Sequence, residues 1–292
     1  MKRLTKKISI FGILNTFLLC AVALFGILPF IHMIAVSFSS GNMSAQNLVG
    51  LWPKEFSLEA YKEALSDDAL FAAVGVSLKR VLLGTVITMV LTVFTAYPVS
   101  LESKEFPGRK FYVVFMVITM LFTGGMIPSY VLISDLGLMD KIWAIVIPGA
   151  IPVFNVIVLL NFFRGIPKEV KEAAIIDGVS DFGMLLRIYL PLAVPCLITL
   201  TMFCLIGHWN AWFDGLIYMR DSANYPLQTY LQVKLESLND IKSQQDVAQM
   251  LLVSDRGLMY AYVVLSCLPV LAVFPLLSRY IKGGLTIGSV KG

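Results

Sequence analysis

A cluster of aromatic and polar side chains at residues 209–214 could bind a carbohydrate. Aromatic rings stack on the apolar faces of sugar rings, and amide or carboxylate groups hydrogen-bond to sugar hydroxyls. The cluster consists of Trp209, Asn210, Trp212, Phe213 and Asp214. Tryptophans at the end of a membrane span are equally typical of an interfacial aromatic belt, so both interpretations stay open. Met126 and Asn155 are weaker candidates for the same path, and Asn155 fits an interhelical hydrogen bond equally well.

Residues that could catalyse a reaction or hold a metal are scarce. The chain has 2 histidines, and its 4 cysteines lie inside apolar runs without a C-x-x-C motif. This pattern argues against a disulfide scaffold, a zinc site and a thiol redox centre. A G-x-x-x-x-G-K-[ST] motif for binding ATP does not occur either. We therefore expect no catalytic residues and no metal or cofactor bound by this chain.

The composition indicates an integral membrane protein. Of the 292 residues, 58% are hydrophobic and 14% are charged, whereas soluble proteins carry about 25% charged residues. The net charge of +4 is too small and too dispersed for a nucleic-acid-binding protein. A soluble enzyme and a nucleic-acid partner are therefore both disfavoured.

Long stretches without charged residues predict an all-α membrane protein with six transmembrane helices. A helix needs about 20 apolar residues to cross the hydrocarbon layer. The predicted spans are approximately 10–36, 79–101, 111–133, 142–163, 190–216 and 257–279. The first apolar run is too long for the core of a cleavable signal peptide, so it is predicted to be retained. We expect residues 1–292 to form a single transmembrane domain, with Gly124, Gly125 and Pro128 loosening or breaking span three.

The distribution of Lys and Arg predicts that both termini lie in the cytoplasm. With this orientation the inside segments hold 14 of the 23 Lys and Arg residues. Lys79 and Arg80 are placed at the outer end of span two, and buried charge is expected to be almost absent from the spans. Transporters driven by protons or sodium usually place ionisable groups at mid-membrane. A transport subunit of this kind needs another subunit to power it.

The loop between spans four and five, residues 164–190, contains the most informative pattern. It has the form E-A-A-x3-G-x9-I-x-L-P, beginning at Glu172 and ending at Pro191. Pro167 can start a helix, and Gly178 permits a turn with positive φ. Ser180 or Asp181 can then cap a second helix that ends at Pro191. The loop is predicted to form a short helix–turn–helix on the cytoplasmic face.

This pattern resembles the coupling motif of permease subunits in ATP-binding-cassette (ABC) importers. The resemblance implies contact with an ATPase through Glu172, Ala173, Ala174, Asp177, Gly178, Ile188, Leu190 and Pro191. The six-span layout, the long outer loop before the last span and the tail 282–292 look like the second permease of maltose-type carbohydrate importers. Residues 123–130, 136–138 with 142–144, and 207–214 look like the branch that handles complex oligosaccharides and polysaccharide fragments.

The resemblance also implies partners and a location. It implies a heterodimer with a sister six-span permease, two ABC ATPase subunits that hold ATP and magnesium, and an external solute-binding protein that delivers a carbohydrate. These would work by alternating access in a bacterial cell membrane. Residues 218–256 would reach the binding protein and residues 283–292 the ATPases.

Two other functions remain open from the sequence. The coupling motif is shared across importers, so the solute could be an amino acid or phosphate instead of a sugar. A membrane-embedded enzyme or scaffold without an ATPase is the second alternative. It predicts that Glu172→Lys and Gly178→Asp leave function untouched, whereas a coupling subunit should lose transport while still reaching the membrane.

Overall fold

The computed structural model describes residues 10–243 and 255–285, and within these ranges the chain forms helices and no strands. The leader 1–9, residues 244–254 of the predicted outer loop and residues 286–292 of the predicted tail lie outside the described residues. The first eight helices are α1 (Ile10–Ser37), α2 (Gly41–Ala45), α3 (Glu59–Leu65), α4 (Asp68–Ser100), α5 (Arg109–Leu121), α6 (Met126–Asp135), α7 (Ile142–Val146) and α8 (Val153–Arg164).

The remaining helices follow the loop that carries the coupling motif. They are α9 (Lys168–Ile176), α10 (Asp181–Met184), α11 (Leu190–Leu192), α12 (Val194–Asn210), α13 (Phe213–Tyr218), α14 (Leu227–Ser243) and α15 (Asp255–Leu285). A π-helical turn over Leu185–Tyr189 joins α10 to α11, and a 3-10 turn over Ser222–Asn224 follows α13.

Three described helices are long and apolar enough to cross a membrane. They are α1, α4 and the Arg256–Val273 part of α15. Two bent helix pairs, α5 with α6 and α10–α11 with α12, raise the number to five if each pair is one span. Predicted span four corresponds to α7 and α8, which residues 147–152 separate. The protein is therefore a multi-pass helical membrane protein, and three of the predicted spans are interrupted.

The interruptions of the third and fourth predicted spans fall at glycine and proline residues. The bend between α5 and α6 is 111°, and Gly125 adopts φ 88° at the start of α6. A φ in this region is accessible to glycine at little cost because glycine lacks a Cβ. The predicted break of span three is confirmed at this position. Pro148 and Pro152 lie in the gap between α7 and α8, where a regular helix would need the N–H groups that proline lacks.

The described residues fall into two compact units. One comprises residues 10–68 with 233–243 and 255–268. In this unit the rings of Phe38 and Tyr61 lie 4.6 Å apart, and the Tyr61 hydroxyl lies 2.8 Å from Ser37 Oγ. Tyr262 donates a hydrogen bond to Asp67. These contacts hold the segment after α1 against α3.

The second unit, residues 69–232 with 269–285, contains the main apolar core. Its centre brings Tyr97 of α4, Phe163 of α8 and Tyr189 of the π turn together, with edge-to-face rings 5.2–6.3 Å apart. Such aromatic pairs contribute about 0.5–1.5 kcal/mol each beyond the apolar area they bury. The π turn is thereby anchored to two of the long helices, and it connects them to the loop that carries the coupling motif.

Candidate functional site

The coupling motif forms the predicted helix–turn–helix. Pro167 precedes α9, and after the helix Gly178 adopts φ 74°. Val179 N–H donates to Ala174 O and Gly178 N–H to Ile175 O, so the carbonyls at the end of α9 are satisfied. Ser180 caps the next helix, because its hydroxyl accepts from Gly183 N–H at 3.2 Å.

The second helix differs from the prediction at its end. It was expected to stop at Pro191, but helical structure continues through the π turn to Leu192 and bends by 81° at Ala193. Pro191 lies at the start of α11, where its missing N–H is tolerated. The loop is thus joined to α12 through a bend and has no flexible linker in between.

The motif residues divide into an outward and an inward group. Glu172, Ala173, Asp177, Gly178 and Pro191 are exposed, whereas Ala174 is buried and Ile188 and Leu190 pack against the core. Large apolar side chains beside these exposed motif residues are also exposed to solvent.

Those apolar side chains belong to Ile176 and Phe182, which are 86% and 58% exposed. The motif loop therefore presents apolar side chains beside exposed carboxylates, and the Phe182 ring also stacks on Phe94 with centroids 6.4 Å apart.

Two ion pairs clasp α9 to the loop that follows α4. Lys168 Nζ lies 2.6 Å from Glu102 Oε1, and Lys171 pairs with Glu105. The hydrogen bond from Lys168 lowers the pKa of Glu102, and the same bond raises the pKa of Lys168. The Lys168–Glu102 pair is exposed to solvent and stabilises the loop only weakly, whereas Lys171 is partly buried in its pair with Glu105. Sequence reasoning did not find this clasp.

A second cluster of contacts holds the break between α12 and α13. Arg80 Nη1 donates to the carbonyl oxygen of Ala211 at 3.1 Å and to Asp214 Oδ1 at 3.0 Å, while Nη2 pairs with Asp214 Oδ2. The Thr229 hydroxyl donates to Trp212 O at 2.7 Å. Two side chains from other helices thus donate to carbonyls at the helix break, and Trp212 O also accepts from Leu216 N–H at 3.1 Å.

The Arg80–Asp214 pair corrects one expectation. Buried charge was expected to be almost absent from the spans, but Arg80 is 2% exposed and pairs with Asp214. α4 begins at Asp68, so the helix extends well before the predicted start of span two at residue 79. Arg80 and Asp214 lie 134 positions apart, and nothing in the sequence pattern joins them.

The candidate substrate-path residues do not form one site. Phe213, Asp214 and Met126 line a pocket between α6 and α13, together with Gly125 and Ser129. This pocket lies at the break between α5 and α6 and beside the break between α12 and α13, so non-helical backbone lies beside polar side chains. Such pairs of discontinuous helices recur at the binding sites of transporters.

The other candidates lie elsewhere. Trp209 is buried and lines an apolar groove with residues of α4, α12 and α15. Asn155 is buried, and its Nδ2 donates to Cys204 Sγ at 3.4 Å between α8 and α12. Its contact matches the interhelical interpretation. Asn210 and Trp212 are exposed, and the rings of Trp212 and Phe213 meet edge to face at 5.5 Å.

His208 packs closely against α4, which sequence reasoning also missed. A Cβ on Gly84 would lie 2.6 Å from the His208 ring, so only glycine leaves space for the histidine there. No group of three or more His, Cys, Asp or Glu within the described ranges could hold a metal ion.

Together, the interrupted spans, the paired helix breaks and the exposed motif loop define a membrane transport subunit. The family described as binding-protein-dependent transport system inner membrane component matches residues 69–228. The chain belongs to this family. The matched region includes both the coupling motif and the break between α12 and α13.

Proteins similar to this chain include one named for polysaccharide transport and one solved transporter structure. The chain is 38% identical to "Protein LplC" of Bacillus subtilis over 99% of its length and 97% of the relative. It is 36% identical to the "Polygalacturonan/rhamnogalacturonan transport system permease protein YtcP" of the same organism, over 100% of both chains. A chain of a bacterial ABC transporter "involved in the import of the acidic polysaccharide alginate" superposes with a TM-score of 0.84 at 32% identity, covering 96% of this chain and 99% of that one.

Proposed function

We propose that the chain is the permease subunit of an ATP-driven ABC importer and carries the loop through which a partner ATPase drives transport. One observation carries the proposal: the E-A-A motif forms a defined helix–turn–helix that exposes Glu172 together with the apolar side chains of Ile176 and Phe182. An acidic and apolar surface of this kind fits a groove on a protein partner. ATP and magnesium would be held by that partner.

The proposed topology has six passes and a single domain over residues 1–292. α7 and α8 together make the fourth pass, and the two bent pairs make the third and fifth. Both termini lie in the cytoplasm, which places α9 and the loop after α4 on the ATPase side. The excess of Lys and Arg in these segments supports this orientation.

The proposed solute is a carbohydrate, an oligosaccharide or a polysaccharide fragment. Its support is the similarity to a permease named for polygalacturonan and rhamnogalacturonan transport and to a transporter of alginate. The pocket at Met126, Phe213 and Asp214 is the proposed contact point, because an aromatic ring and a carboxylate suit a sugar. The proposed partners are a sister permease, two ATPases and an external solute-binding protein.

Reconstituted transport tests this proposal. The assembled complex in proteoliposomes, with its binding protein outside, should hydrolyse ATP faster when a cognate uronate oligosaccharide is supplied than with amino acids or phosphate. Phe213→Ala should reduce uptake of the oligosaccharide without reducing assembly, whereas Phe203→Ala, at an exposed position of α12 outside the pocket, should not. Stimulation by an amino acid or phosphate and not by any oligosaccharide would refute the carbohydrate assignment.

A further inference from the structure

A groove between α5 and α8 has a basic end and an apolar end. Arg109, Lys110 and Arg164 line one end, and Val113, Val117 and Ile157 line the remainder. Its cavity volume is about 520 Å³. Both helices belong to the same compact unit. The groove therefore combines a cationic head region with an apolar channel along the helices.

The basic end has cations without counterions. No carboxylate lines this groove, and among the described residues no ion pair reaches Arg109, Lys110 or Arg164. Glu102, Glu105 and Glu172 line an adjoining pocket with Arg109 and Arg164, and the first two are paired with the lysines of α9. Arg164 Nη2 also donates to Val99 O at 3.4 Å, and its other N–H groups, with those of Arg109 and Lys110, can donate to an external anion.

The position of these cations is unfavourable for the helix itself. Arg109 and Lys110 are the first two residues of α5, whose first turn contains no acidic residue. The N-terminal end of a helix carries a partial positive charge, so two cations there are repelled and an anion is attracted. A bound phosphate would neutralise both the dipole and the side chains.

We propose that this groove binds one acidic phospholipid of the inner leaflet. The phosphodiester lies among Arg109, Lys110 and Arg164, and an acyl chain runs along Val113, Val117 and Ile157. Basic pockets between helices on the cytoplasmic side are suited to such head groups. The inference rests on the cytoplasmic orientation given under the proposed function. The proposed lipid would lie close to the loop after α4, which is ion-paired to α9.

The test is native mass spectrometry of the purified complex titrated with phosphatidylglycerol or with phosphatidylcholine. The wild-type complex should retain phosphatidylglycerol more tightly. Removing both cations in Arg109→Gln/Lys110→Gln should weaken that binding about 25-fold, since each cation near a membrane surface contributes roughly fivefold. The control Lys104→Gln changes the charge of the same loop at an exposed residue outside the groove and should bind as wild type.

A second variant separates a lipid from other occupants. Val117→Trp fills the apolar part without changing any charge, and it should also weaken phosphatidylglycerol binding. Glycerol 1-phosphate, which lacks acyl chains, should not displace the lipid. Equal binding of the two lipids, unchanged binding in both variants, or loss of the sister permease in Val117→Trp would each overturn the proposal.

The orientation is checked independently of lipid binding. Ser103→Cys in whole cells should resist a membrane-impermeant thiol reagent. Labelling from outside would refute the proposed orientation and the leaflet assignment, while phosphatidylglycerol binding in detergent would still report on the groove itself. Absence of phosphatidylglycerol binding would thus contradict the groove assignment, whereas external labelling of Ser103→Cys would contradict the proposed orientation.

Discussion

The molecule uses ion pairs in two regions, and the two kinds of pair differ in burial. The Arg80 side chain is 3% exposed and its partner Asp214 is 30% exposed. In the clasp on α9, the side chains of Lys168 and Glu102 are 77% and 58% exposed. Breaking a buried pair leaves an uncompensated charge, whereas an exposed pair exchanges its partner for water.

This difference indicates two roles. The buried pair fixes the backbone at the break between α12 and α13, since Arg80 also caps Ala211 O. The pairs on α9 are more exposed and orient the helix without holding it rigidly, which suits the proposed coupling role of this loop. Ion pairs therefore hold the backbone rigidly beside the proposed substrate path, and they leave α9 freer to move at the proposed coupling surface.

The largest effect is expected from removing one partner of the buried pair. Arg80→Ala should lower the free energy of unfolding by about 3–5 kcal/mol, because Asp214 loses its counterion and Ala211 O its donor. Thermal unfolding of the purified protein in detergent measures this loss. Arg80→Met/Asp214→Leu should recover a large part of it, and equal stability of Arg80→Ala and wild type would contradict the assigned role.

The contact between α4 and α12 predicts the next effect. Gly84→Ala would bring a Cβ to 2.6 Å from the His208 ring and should cost about 1–3 kcal/mol through overpacking. Gly75→Ala on the same helix is the matched control, since nothing lies within 4 Å of its Cβ. The same unfolding assay should show the control as stable as wild type or more stable. Equal stability of the two variants would contradict the close contact between Gly84 and His208.

A smaller effect is expected at the turn after α9. Gly178 has φ 74° and no atom within 4 Å of an added Cβ, so only backbone strain opposes a side chain. Gly178→Ala should cost about 1–2 kcal/mol, and Gly178→Asn should cost less because asparagine tolerates this conformation. Comparing the thermal midpoints of the two variants tests the conformation. Gly178→Ala should have the lower thermal midpoint, and the opposite order would contradict the positive φ of Gly178.

The smallest effect concerns the exposed Lys168–Glu102 pair. Lys168→Gln should lower stability less than any of the variants above, because an exposed ion pair contributes little. The pKa of Glu102 is lowered by Lys168, so this pair's contribution is present above the ordinary carboxylate pKa and disappears as the pH falls through the lowered value. Stability measured between about pH 6 and pH 3 should therefore fall more in wild type than in Lys168→Gln. Parallel curves would contradict the clasp.

The two regions also differ in how far the sequence predicted them. The coupling loop is local: Pro167, Gly178 and Ser180 act on backbone within a few residues, so its helices and turn could be predicted. The Arg80–Asp214 pair and the clasp join segments 134 and 66 residues apart. A single sequence contains propensities and periodicity, but it does not show which distant side chains meet.

The interrupted spans could be predicted from the sequence only in part. Hydropathy detected the apolar segments, and glycine with proline indicated the break after α5. The interruption at Ala211 and Trp212 has no such residue and depends on Arg80 and Thr229, which lie on other helices. Spacing alone therefore predicted a continuous fifth span where the structure has a bend and a break.

The central claim is that the loop around α9 connects this membrane subunit to an ATPase. Mild-detergent affinity purification of the tagged chain from its native cells, with the co-purifying proteins identified, tests this most directly. We expect an ABC ATPase and a second six-span protein with wild type and with Glu169→Lys, an exposed acid outside the motif, and loss of the ATPase alone with Glu172→Lys. Recovery of the ATPase with Glu172→Lys at the wild-type level, or of no ATPase with wild type, would contradict the account.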